Sequence, residues 1–284
     1  MMQLRPRLWL GIGLSVVAGG MVVSTAGAAT TATTAGATEN ATAWHGAEIP
    51  LQVAQGGEGG EGGEGGEGGE GGVAPEEAAK DPVAFISALD VTAAHYHAGL
   101  AAYRAGEHQA AGEMFAHPIS EIYIDLEPVF AAQGAKPFQD EMARASELAL
   151  NQAPVAEVEK AVKAVLAALE ATAAKAPKSA DTPRAVQARL LSGMIERGAL
   201  QYRSATENSA FEPYLDGYGF AITAQERAKG LEKAGVKLPA EVKAAIDLLL
   251  KAYPTALRPG KLPVELGELS GQAAKAQFAL LRIR

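Results

Sequence analysis

The chain contains no cysteine. That removes disulfides, thiolate metal sites, iron–sulfur clusters and cysteine nucleophiles together. Aromatic residues make up only 6% of the 284 positions, and there is no excess of basic charge, with 25 Lys and Arg against 33 Asp and Glu. An acidic balance of this kind excludes a protein that holds nucleic acid through general phosphate contacts. Histidine is scarce as well as unevenly placed. His45 stands alone, His95, His97, His108 and His117 fall close together, and the chain beyond His117 has none.

What is present divides into three stretches. Met1 to Trp9 carries Arg5 and Arg7 and no acid, Leu8 to Val23 is apolar, and Ala26-Gly27-Ala28 gives a small–x–small pattern. These are the parts of a secretory signal peptide over residues 1–28. The apolar run is shorter than the roughly 20 residues a spanning helix needs, so a cleaved signal is favoured over a retained anchor. Cleavage leaves 33 acidic against 23 basic side chains, a charge of −10. The expected mature protein is an acidic periplasmic one with no stable membrane insertion and no nucleic-acid partner.

Residues 29–80 read as a disordered tail and linker. The first part is Ala, Thr and Gly, too poor in large side chains to bury a core. Gly56 to Gly72 then repeats Gly-Gly-Glu, with Glu58, Glu61, Glu64, Glu67 and Glu70 each set apart by two glycines. Glycine raises chain entropy and the like charges repel, which suits a solvated spacer. Five carboxylates on such a chain lack the fixed geometry of a tight cation site.

From Asp81 onward Ala, Leu, Glu, Lys and Gln dominate, with apolar residues at helical spacing and no alternating strand pattern. The expected fold is all-α: an antiparallel helical bundle over residues 81–284, divided into two stacked half-bundles at about 81–178 and 181–284. Asp81-Pro82 starts the first helix and Gly106 stops it. Pro118 forces a kink or a restart in the second. Gly217 and Gly219 predict an irregular first turn in the helix that begins near Pro213. A weak internal parallel joins the halves. Tyr103-Arg104 and Tyr202-Arg203 are 99 residues apart, and the segments that follow carry Glu121, Tyr123, Asp125 and Glu212, Tyr214, Asp216.

Neutral imidazoles completed by carboxylates are the metal chemistry left open when thiolates are absent. His95 and His97 lie about 200° apart around a helix and cannot share a site. His95 and His117 stand equally far from Gly106, so an antiparallel hairpin brings them to similar heights. His117 and Glu121 share a helix face. The expected metal set is His95, His117 and Glu121, with Glu113, Tyr123 and Asp125 in reserve. The competing reading makes His117 a cap of a restarted helix and His95 a core residue. His108, just past the turn, is expected to be exposed. No catalytic motif is present, so a non-enzyme is expected.

Two resemblances rest on these residues. Leu100-x-x-Tyr103-x-x-Gly106-x-His108-x-x-Ala111-x-x-x-Phe115 resembles one tetratricopeptide helix hairpin, without the period of an array. The His-bearing first helix, the Tyr-x-x-Gly-Glu turn and Ser120-Glu121-Ile122-Tyr123-x-Asp125-Leu126-Glu127-Pro128 are similar to the imelysin/EfeO-like proteins and to the periplasmic helical region of iron permeases. Glu196 to Phe220, with Tyr202, Glu207, Tyr214 and Asp216, is similar to the second repeat of those regions. Imelysin-like proteins carry His-x-x-Glu, whereas this chain has His117-x-x-x-Glu121. The resemblance implies periplasmic metal handling without catalysis, with iron foremost, copper and zinc as alternatives, and an envelope transport component as partner. The alternative is a non-metal adaptor that binds another envelope protein through its helical hairpin.

Overall fold

A computed structural model describes residues 73–208 and 211–284, except the side chain of residue 208. The signal-peptide, tail and glycine–glutamate readings lie outside the described residues, apart from 73–80. Within them the protein is an all-α bundle with no strand. The helices are α1 (Pro75–Ala78), α2 (Pro82–Arg104), α3 (His108–Pro118), a π-helical turn (Ile119–Tyr123), α4 (Ile124–Ala132), α5 (Gln139–Leu150), α6 (Val155–Ala173), α7 (Pro183–Asn208), α8 (Phe211–Lys233), α9 (Ala240–Ala252) and α10 (Leu266–Leu280). None of them is long and apolar enough to cross a membrane.

The start of α1 corrects the linker boundary. Pro75 opens the turn, Glu76 and Glu77 sit where the helix dipole favours acids, and Ala78 is fully buried. This turn packs on α2 and α4.

The ends of α2 follow the sequence closely. The Asp81 carboxylate accepts from the Val83 N–H at 2.9 Å, with Pro82 at the first helical position. Gly106 closes the helix at φ +93°, a conformation that strains any residue with a Cβ. The Glu107 N–H then reaches back to the Ala102 carbonyl at 3.0 Å, ending α2 in a Schellman-type cap.

Pro118 does not break the helical run, which passes into the π-helical turn and then into α4. It has no N–H for the ladder, and the chain continues through a wide turn in which the Ile124 N–H reaches the Ile119 carbonyl, five residues back. The Ser120 hydroxyl donates to the His117 carbonyl at 3.2 Å.

Packing closes two groups of four helices. In the first, α2 packs on α3 and α6, while α5 bridges α3 and α6; in the second, α7 packs on α8 and α10, and α9 contacts both of those. The two groups meet where α2 lies against α8 and α7. Gly217 and Gly219 do not loosen the first turns of α8, which is regular from Phe211. A Cβ at Gly219 would run into the Ala94 carbonyl of α2, and one at Gly217 into the Tyr253 ring. Both glycines permit close approach: that at Gly219 brings the two halves together, and that at Gly217 seats Tyr253, at the end of α9, against α8.

Buried tyrosines tie helices to carbonyls. The Tyr96 hydroxyl donates to the Phe115 carbonyl at 3.1 Å, and Tyr253 donates to the Gly198 carbonyl at 2.7 Å. Tyr103 donates to the Ala153 carbonyl near the end of α2, and Tyr202 to the Val264 carbonyl near the end of α7. The sequence parallel at these two positions therefore has a structural counterpart. Burial raises the pKa of all four phenols and pushes Tyr214 up to about 12. A pKa raised on folding stabilises the protein below the unfolded value near 10 and loses that contribution as pH climbs through the folded value. Thermal melts followed by circular dichroism should hold steady up to pH 10 and fall steeply between pH 10 and 12. The rise of tyrosinate absorbance should coincide with unfolding.

Candidate metal centre

The height argument for the α2–α3 hairpin places His95 and His117 together. Their ring centroids are 6.4 Å apart and the rings are nearly perpendicular, at 72°. His95 is 1% exposed, and its Nδ1 donates to the Val91 carbonyl one turn earlier, at 2.9 Å. That bond places a proton on Nδ1, and Nε2 is the ring nitrogen on the side of Asp216. His117 is less enclosed, its side chain 30% exposed.

The carboxylates beside these rings come from the other half of the molecule. Asp216 of α8 is buried, with its Oδ1 3.8 Å from His95 Nε2. Glu212, one turn earlier on α8, has its Oε1 3.7 Å from His117 Nδ1. Residues four apart share a helix face, so α8 presents one acid to each histidine. The contact at Gly219, on the next turn of α8, holds that face against α2.

The other expected ligands are placed as follows. Glu121 is exposed in the π-helical turn, and Asp125 is exposed on α4. Glu113 is exposed and accepts from Gln109 Nε2 at 2.6 Å. Tyr123 is buried; its hydroxyl accepts from the Phe138 N–H at 3.2 Å and donates to Glu127 at 3.3 Å. His97 points to the other side of α2, as its two-residue offset from His95 requires, with Nε2 3.0 Å from Glu226 Oε2. His108 differs from expectation. It is half-buried, its ring 4.5 Å from that of Tyr103.

The four side chains form two His–carboxylate pairs rather than a closed set. Among the described residues no three His, Asp or Glu side chains are placed so as to hold a metal ion. The donor chemistry is nonetheless that of borderline divalent ions, two imidazoles and two carboxylates. A ligating histidine commonly donates its second ring N–H to a backbone carbonyl, as His95 does. With metal–nitrogen bonds near 2.1 Å, two imidazoles on one ion have centroids roughly 5–6 Å apart. A small inward movement of the partly exposed His117 would reach that range.

Sequence reasoning missed Asp216 and Glu212. Their signal was present in the four-residue spacing and in the parallel with Glu121, Tyr123 and Asp125. The packing of α8 on α2, which brings acids from one half to histidines of the other, was not readable from periodicity. No protein-family model, curated protein or solved structure matches the chain.

Proposed function

We propose that this is an exported periplasmic protein that binds a divalent transition metal where α2, α3 and α8 meet, for uptake or delivery. His95 and His117 supply neutral nitrogens, and Asp216 and Glu212 supply the charge that offsets the cation. Iron is the foremost candidate, with zinc and copper as alternatives. The observation that carries this reading is the convergence of the two histidines across the hairpin, each with a carboxylate from α8 beside it. The resemblance to imelysin/EfeO-like proteins points the same way. No acid–base or nucleophilic constellation is invoked, and the role is binding rather than catalysis.

The second reading is an adaptor for another envelope protein. Phe278 and Leu281 favour it, being 70% and 71% exposed at the end of α10. That surface is distinct from the hairpin where the sequence placed adaptor binding.

Metal analysis of untagged protein purified from the periplasm separates the two. The metal reading expects a stoichiometric transition metal. After chelation and re-addition, ion at 1,000 times its Kd stabilises by about 4 kcal/mol, or roughly 10 °C in Tm for a domain of this size. Metal-free protein whose Tm ignores both chelator and added ion would leave the adaptor reading.

A further inference from the structure

On the other side of α2 from His95, an open cavity of about 440 Å³ lies between α2, α6, α7 and α8. Its size is in the ordinary range for small-molecule sites. One wall is aliphatic, formed by Leu89 of α2 and by Leu166 and Leu169 of α6. Facing it is a polar network. Asp90, 4% exposed, accepts from Arg227 Nε at 2.8 Å and from Arg227 Nη2. Arg227 Nη1 donates to Gln187 Oε1 at 2.8 Å. At the rim are the His97–Glu226 pair and Glu170 of α6.

This arrangement differs from that of a core. Burying an ion pair costs several kcal/mol per ion in desolvation, and well-packed apolar residues serve stability as well or better. Here the Asp90–Arg227 pair lies beneath an accessible cavity. Three carboxylates, Asp90, Glu170 and Glu226, face one guanidinium, which Asp90 neutralises, while Glu226 has the His97 ring at 3.0 Å and feels the charge of Lys229. The uncompensated charge is therefore negative and sits at the rim, where Glu170 has no ion-pair partner among the described residues. A cleft lined by one sign of charge, with low-dielectric walls, concentrates ions of the other sign. The hydrogen bond from His97 holds the Glu226 carboxyl below the ordinary range.

We propose that this cavity is a second binding site, independent of the metal centre, for a small organic ammonium ion. The ammonium group would lie between Glu170 and Glu226 at the rim, and its aliphatic body against Leu89, Leu166 and Leu169. The buried Asp90–Arg227 pair sets the floor and leaves no free positive charge to hold a carboxylate.

Three probes of equal chain length test this by calorimetry and ligand-observed NMR: hexylamine, hexanol and hexanoate. Hexylamine should bind saturably, and hexanoate should not bind. Glu170→Gln combined with Glu226→Gln should weaken hexylamine at least tenfold with Tm unchanged. His95→Ala should leave hexylamine binding intact. Hexanol binding as tightly as hexylamine would reduce the site to an apolar groove and overturn the proposal. Preferential binding of hexanoate, or full affinity in the Glu170/Glu226 variant, would overturn it as well.

Discussion

Replacing Arg227 with Met should lower Tm by roughly 10–15 °C. The substitution leaves Asp90 buried beneath α2 with no cation beside it, and breaking a buried pair in this way costs about 3–5 kcal/mol, at 2–4 °C per kcal/mol for a domain of this length. The loss should depend on pH in a defined sense. Burial already holds the Asp90 carboxyl above its ordinary value of 3.8, with the charge and hydrogen bonds of Arg227 pulling it down. Without Arg227 the folded pKa rises further. A carboxyl raised on folding is stabilising when protonated and loses that contribution as pH climbs through its folded value. The gap between variant and wild type should therefore be widest at neutral pH and narrow as pH falls. Adding Asp90→Leu to Arg227→Met removes the orphaned charge and should recover most of the loss, a coupling that a double-mutant cycle measures directly. Equal melting temperatures for wild type and Arg227→Met at pH 7 would show that the pair contributes nothing.

Gly219→Ala should cost about 2 kcal/mol, or roughly 4–8 °C, from a single methyl group. Alanine is ordinarily favoured over glycine inside a helix by about 1 kcal/mol, so the expected sign is opposite to helix propensity. The reason is steric: the new methyl meets the Ala94 carbonyl, which belongs to backbone and cannot swing aside. α8 must move away from α2, and Asp216 moves with it, away from His95. Gly230→Ala provides the control, because nothing lies within 4 Å of a Cβ there. That variant should be neutral or slightly stabilising. If the two variants melt alike, the close approach of α2 and α8 is not what Gly219 provides.

The fold was legible in the sequence because its signals are local. Asp81-Pro82, Gly106 and the apolar residues at helical spacing between them define α2 without reference to the rest of the chain. The meeting of His95 with His117 was legible too, since it needs only a tight hairpin and equal distances from its turn. The expectation for Glu121 rests on the same kind of local spacing. The carboxylates beside the histidines, Asp216 and Glu212, come from a helix 121 residues beyond His95 (216 − 95) and 95 beyond His117 (212 − 117), and only tertiary packing selects them. Gly217 and Gly219 differ from the sequence expectation for a related reason. A glycine in a helix weakens it when nothing packs there, and permits a crossing when a neighbouring backbone does. Propensity alone does not distinguish the two cases. Its position just past the turn predicts a solvent-exposed His108, whereas the Tyr103 ring packs beside it and leaves it half-buried.

The central claim is that His95 and His117 hold a metal together with acids from α8. Calorimetric titration of chelator-treated protein with Fe(II) under anaerobic conditions, and with Zn(II) in parallel, addresses it directly. The account predicts one ion per chain for wild type, and at least tenfold weaker binding for Asp216→Asn and for His117→Ala. Wild-type protein that takes up neither ion, or a His95→Ala variant that binds as wild type does, would contradict it.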